Sequence, residues 1–283
     1  MKRKDAGSVR NIVVVSDPHA GCQFGLCPSD GVPLDGGGWY TPSPLQRKVY
    51  DWWREFWDEF VPRATRGEPY TAVVNGDALD GVHHGSTTQI SHNMKDQREV
   101  ARRLLEPVRD ACEGRFWMVR GTEAHVGHSG EHEEELAKSL GALQTREGGA
   151  TRAHWELVLK LEEHRVHFTH HIATAHSPFT RTSALLREAV THYVEAGKNG
   201  DPLYSMLVRS HRHVHDEITH QTRNGKMTAF ATPAWQLKTP YVFRISARMS
   251  QPEIGGVVIR LADGELFTRA FVKRLSPPRG ERA

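Results

Sequence analysis

The stretch Asn11-Ile12-Val13-Val14-Val15-Ser16-Asp17-Pro18-His19 decides the fold. Four β-branched residues in succession make a strand that is apolar on both faces, the pattern of a strand buried between two layers. The run stops at an acid and an imidazole two positions apart. A second such strand, Tyr70 to Val74, stops at Asn75-Gly76-Asp77, and a third, Phe116 to Val119, runs into Arg120-Gly121. Between the first two, Val49, Trp53, Phe56, Trp57 and Phe60 recur at helical spacing from Leu45 to Val61, so a helix packs this aromatic stripe inward. Further helices are expected from Met94 to Cys112, from Glu131 to Leu140, and from Thr182 to Ala196 with Gly197 as its stop. Strands are expected at Trp155 to Leu161, Val166 to Thr169 and Leu203 to Val208, and the chain beyond Glu217 is β-rich with hairpin signals at Asn224-Gly225 and Asp263-Gly264. Alternating strands and helices that give way to hairpins suit an α/β (α+β) architecture of two mixed β-sheets flanked by helices.

With 283 residues, 38% hydrophobic and 25% charged, the chain has the make-up of an ordinary globular protein. A single domain over residues 10–275 is expected, with residues 1–9 and 276–283 as flexible termini. A formal net charge of +3 comes from nearly balanced acids and bases, so nucleic acid is compatible with this chain but not demanded by its field. No apolar run reaches the length of a bilayer span, so no membrane partner is expected and a cytoplasmic location is. The three cysteines, Cys22, Cys27 and Cys112, cannot complete a disulfide framework and suit a reducing compartment. The Gly, Pro and Asp content of Gly21 to Pro44 marks a long loop, of the kind that covers a site.

Histidine is the outlier, with 18 residues, many at the ends of apolar segments. Asp17 and His19 follow the first strand and Asp77 the second; Gly121 to His125, His170-His171, and His211 with His213 follow later ones. Strand ends are where α/β sheets place their sites. In an extended segment, residues two apart share a side, so Asp17 can face one cluster with His19, and His211 with His213, while Pro18 and Arg212 point away. A carboxylate has two oxygens, so Asp77 can bridge two divalent ions roughly 3.5–4 Å apart, the separation of two-metal hydrolytic sites. Mixed imidazole and carboxylate donors suit Mn2+, Zn2+ or Fe2+/Fe3+ better than Mg2+ or Ca2+, with Mn2+ favoured here. Each motif alone is weak, and their order after successive strands is what carries weight.

That order resembles the calcineurin-like metallophosphoesterase superfamily, whose motifs run Asp-x-His, Gly-Asp, Gly-Asn-His-Asp/Glu, His and Gly-His-x-His. They stand here as Asp17-Pro18-His19, Gly76-Asp77, Gly121-Thr122-Glu123-Ala124-His125, His170-His171 and Ser210-His211-Arg212-His213, spanning Ile12 to Val214. The resemblance implies a four-layer αββα sandwich and a dinuclear centre, with Asp17, His19 and His213 on one ion, His170 and His211 on the other, and Asp77 bridging. It also implies hydrolysis of a phosphomonoester or phosphodiester by metal-activated water. Two departures stand out: Thr122 occupies the place of the Asn ligand and His125 comes two residues late, and Ser210 replaces Gly. Glu123 or Thr122 is expected to supply the missing oxygen, and His125 to act on the leaving group. His170 is preferred over His171 as the ligand because it comes as the strand runs out. His84 and Arg212 are expected to meet the substrate, with His83, Arg120, Arg181 and Trp235 as further candidates beside the motifs. The alternatives are a nuclease acting on DNA or RNA, and a catalytically impaired metal-binding or regulatory protein of the same fold.

Overall fold

The computed structural model describes residues 9–83, 85–173, 180–223, 225–245 and 252–276. His84 therefore lies outside the described residues, as do the expected flexible ends apart from residues 9 and 276. The first half comprises β1 (Asn11–Val15), β2 (Val32–Pro33), β3 (Trp39–Tyr40), α1 (Pro44–Glu55), α2 (Val61–Thr65), β4 (Tyr70–Asn75), α3 (Met94–Ala111), β5 (Phe116–Val119), α4 (Glu123–Val126) and α5 (Glu131–Ser139). The rest comprises β6 (Ala153–His154), β7 (Leu157–Leu161), β8 (His164–Phe168), α6 (Ser183–Asn199), β9 (Met206–Arg209), β10 (Asp216–Thr222), β11 (Gly225–Ala231), α7 (Pro240–Ile245), β12 (Ile254–Ala262) and β13 (Glu265–Lys273).

A six-stranded sheet has the order β13-β12-β1-β4-β5-β6, with β1, β4, β5 and β6 parallel. A five-stranded sheet has the order β10-β11-β9-β8-β7, with β8, β9 and β11 parallel. The alternation of β1 explains its double burial. Ile12 and Val14 face Phe168, Val208 and Phe230 of the second sheet, while Val13 and Val15 face the helical layer through Val49, Trp53, Leu104 and Leu136. On the far side of the second sheet, Leu185 and Ala189 of α6 cover Leu207, Met227 and Ala229. Helices, sheet, sheet, helix: this is the αββα sandwich.

Local chemistry accounts for several boundaries. Ser43 caps α1 in a capping box with Gln46, satisfying two amides that would otherwise lack partners. The helix is π-wound over Phe56–Phe60, with the Val61 amide donating to the Phe56 carbonyl. Pro62, which has no N–H to give, follows at once. Trp235 is fully buried against Trp53 and Phe56, so it packs under α1 and is not exposed to meet a substrate. Two expectations need correction. The Gly21 to Pro44 segment contains the short hairpin of β2 and β3, and α6 runs through Gly197 to end at Gly200, whose φ of 73° takes the left-handed turn.

Candidate metal centre

The parallel strands β1 and β4 of one sheet and β8 and β9 of the other end at the same edge of the sandwich, and a buried polar network ties the sheets there. The Asn75 amide donates to the Thr169 carbonyl (3.0 Å) and the Ser210 hydroxyl (2.7 Å), and the Thr232 hydroxyl donates to Ser210 (2.8 Å) and shares a bond with Ser16 (2.6 Å). Ser210, where the resembled motif has Gly, thus anchors the turn that follows β9.

Immediately beyond this network the backbone turns into the left-handed region. Asp17, His19, Asp77, His211 and His213 have φ of 52°, 42°, 50°, 69° and 55°. Non-glycine residues rarely adopt this conformation, and it concentrates where the surroundings over-determine a functional geometry. The expected reason for convergence was therefore wrong: these residues meet through tight turns after the strands, not through alternation along an extended chain. Gly76, at φ 88°, makes one turn feasible, because a β-carbon there would sit 2.4 Å from His170 Nδ1.

The turns bring together two contiguous groups, Asp17–His19–His213 and Asp77–His170–His211, whose donor atoms lie within 4.8 Å of one another in each. In the first, Asp17 Oδ1 is 3.2 Å from His213 Nε2 and 3.8 Å from His19 Nε2. In the second, Asp77 Oδ2 is 3.0 Å from His170 Nε2 and 3.9 Å from His211 Nδ1. Asp77 Oδ2 is also 4.0 Å from His19 Nε2, so one carboxylate touches both groups. His170 Nδ1 bonds to the Asn75 carbonyl at 2.8 Å, which turns its Nε2 inward, while His171 is exposed on the rim against His211.

The electrostatics fit cation binding. Burial favours the neutral forms of Asp17 and Asp77, but the histidines around them together outweigh it, His170 and His213 at Asp17 and His170, His125 and His211 at Asp77, and hold both carboxyls well below the usual range. Burial likewise opposes charge on His170, yet Asp77 and Asp17 push it up to about 10. Asp17 Oδ1, His19 Nε2 and His170 Nε2 are buried and make no hydrogen bond among the described residues. Buried polar atoms are normally satisfied, and divalent ions held in the two groups would satisfy all three.

The third-motif segment behaves differently. Thr122 approaches the centre: its amide donates to Asp77 Oδ1 (2.6 Å) and its hydroxyl lies 3.3 Å from Asp77 Oδ2 and 3.2 Å from His211 Nδ1. Glu123 turns outward, exposed and paired with His128 at 2.7 Å, so its placement as a metal ligand is corrected. His125 packs edge-on against His19 and His83, with Nδ1 bonded to the Asp80 carbonyl at 2.6 Å. Burial lowers the His125 pKa to about 4.

Arg212 is also corrected. It is 7% exposed, donates to the Arg181 carbonyl (2.6 Å) and lies 3.7 Å from Asp216, and so its guanidinium is engaged within the turn. Arg120 pairs with Glu134 and Arg181 with Asp216. One residue was missed altogether. Glu133 on α5, fully buried, accepts from the Ala78 amide (2.7 Å) and the Gly121 amide (2.8 Å). Its only sequence signal is helical phase, since it lies one turn before core residues Leu136 and Ala137.

No protein-family profile matches this chain, and no curated protein does. Among solved structures, it is similar to the sulfate thiohydrolase SoxB of Thermus thermophilus at 12% identity, over 96% of this chain and 58% of that one, with a TM-score of 0.43. It is similar to a conserved uncharacterised protein of Streptococcus pneumoniae described as a predicted phosphoesterase, at 12% identity, 95% and 100% coverage and a TM-score of 0.35. It is also similar to Vps29 of Chaetomium thermophilum, at 10% identity, 95% and 100% coverage and a TM-score of 0.35. Among the described residues, no helix is long and apolar enough to cross a membrane.

Proposed function

We propose that this chain is a two-metal phosphoesterase that hydrolyses a phosphomonoester or a phosphodiester. The observation that carries this reading is the pair of Asp/His groups that meet at Asp77, buried except for the half-buried His211 and His213 and held at positive φ at every member but His170. Asp17, His19 and His213 would hold one divalent ion, His170 and His211 the other, with Asp77 between them and Thr122 as the added oxygen donor. Mn2+ is favoured, and Zn2+ or Fe2+/Fe3+ suit the same donors. When bound, two such ions supply a deprotonated water and neutralise the phosphoryl oxygens. His125 is the proposed catalytic side chain: its bond to the Asp80 carbonyl fixes the ring and leaves Nε2 for a substrate oxygen.

A compact phosphate ester is preferred here over a nucleic acid, because Arg120, Arg181 and Arg212, the candidate phosphate contacts, are each engaged within the protein. A binding or regulatory protein is the second reading, favoured by one observation: Thr122, a weak neutral donor, stands where the resembled motif has Asn. Hydrolysis of bis-p-nitrophenyl phosphate and of p-nitrophenyl phosphate with added Mn2+ separates the two. Turnover of either, abolished by EDTA, supports the esterase; no turnover of either with two ions bound supports the binding protein.

A further inference from the structure

We infer that Glu133 is the positioning residue of the bridging carboxylate, clamping the Gly76-Asp77-Ala78 turn to the Gly121-Thr122 turn and so setting the second ion site. This rests on the two-metal reading of Asp77. Glu133 is 0% exposed and forms no ion pair among the described residues. A buried carboxyl without a cation is costly, and an apolar side chain of similar size would pack α5 at lower cost. Core stability therefore does not explain the residue, whereas its two acceptor contacts do. One oxygen takes the Ala78 amide, next in the chain to Asp77, and the other takes the Gly121 amide, next to Thr122.

The consequence passes through successive amides. Gly121 N–H is held by Glu133 and Thr122 N–H by Asp77 Oδ1 at 2.6 Å, so one short peptide segment is gripped by both carboxylates. The packing leaves no slack, since a β-carbon at Gly121 would sit 2.0 Å from Asp77 Oδ1. Helix α5 supplies the fixed base, because Leu136 and Ala137 are anchored in the core beneath the first sheet. Asp77 thus has its backbone located on one side and its Oδ1 on the other by a single side chain 56 positions away in sequence. Outer partners of this kind orient metal ligands, and their loss typically costs about 10–100-fold in metal affinity or activity.

Glu133→Gln tests this, since glutamine keeps the shape but offers one oxygen to two amides and points an NH2 group at the other. Mn2+ titrations of the full-length wild type and variant would be followed by calorimetry and by electron paramagnetic resonance, with circular dichroism as the check on folding. The wild type should bind two ions and show the signal of a spin-coupled Mn2+ pair. The variant should bind the first ion with wild-type affinity, bind the second about 10–100-fold more weakly, and lose the coupled signal at two equivalents. Two ions bound as tightly as in the wild type, with the coupled signal intact, would overturn the inference. If Glu133→Gln does not fold, Glu133→Asp, too short to reach both amides, is read the same way. Failure of both to fold without metal also overturns it, by making the residue a folding determinant. A wild type that binds no ion refutes the metal centre itself, which is a separate result.

Discussion

Two turns meet over Asp77 and are built on opposite plans. The Gly76-Asp77-Ala78 turn is buried, strained and lined by candidate ligands, of which Asp17 Oδ1, His19 Nε2 and His170 Nε2 make no hydrogen bond among the described residues. The Gly121-to-Val126 turn is half exposed, runs into the short helix α4 and offers the centre one amide, one hydroxyl and the imidazole of His125, which lies beside His19 and Asp77. Strain in the first implies a geometry with little tolerance for change, whereas the second departs from the resembled motif and still reaches the same carboxylate. The first turn is held at both backbone and side chain, whereas the second meets Asp77 through one amide and one hydroxyl.

That contrast can be broken experimentally. Asp77→Asn should have the largest effect, a loss on the order of 10³-fold in kcat, comparable to removing a main electrostatic stabiliser, with metal content falling below two ions per chain by elemental analysis. His125→Ala in the opposite turn should lower kcat by about 10²-fold through lost proton handling, with two ions still bound. Equal metal loss in both variants would erase the distinction between the turns.

A pH experiment sharpens the buried side. The folded-state pKa of His170 is raised to about 10, so in metal-free protein its contribution to stability is complete below about pH 6.5 and is lost as pH rises towards 10. An ion needs that nitrogen deprotonated, so binding releases a proton and strengthens with pH over the same window. Melting temperature in EDTA should therefore fall between pH 6.5 and 9, while the increment produced by added Mn2+ grows. An increment independent of pH would remove His170 from the ligand set. The smallest effect is expected on the exposed side: Glu123→Gln should leave kcat and metal content within about 2-fold of wild type, as for surface changes generally.

Much of this was legible in the sequence. Double-faced β-branched runs such as Ile12 to Val15 announce buried strands, and Asp17, His19, Asp77, His211 and His213 were marked by residue type and by their position after such runs. The positive φ at all five was not legible, because spacing alone does not distinguish an extended segment from a tight turn. Glu133 was hidden by distance: a helical period shows which face is inward, not that a carboxylate on that face meets amides far away in the chain. Arg212 misled in the reverse sense, since an arginine between two histidines reads as a phosphate contact until the Arg181 carbonyl and Asp216 are seen beside it. The exposed turn at Glu123 was ambiguous by one residue, and the pairing of Glu123 with His128 together with the contacts of Thr122 to Asp77 and His211 resolves it.

The most direct measurement is anomalous diffraction from Mn2+-soaked crystals of the full chain. Two peaks are expected roughly 3.5–4 Å apart, one against Asp17, His19 and His213, the other against His170 and His211, with Asp77 between them. A single peak, or none with the crystals saturated in Mn2+, would contradict a dinuclear centre at these strand ends.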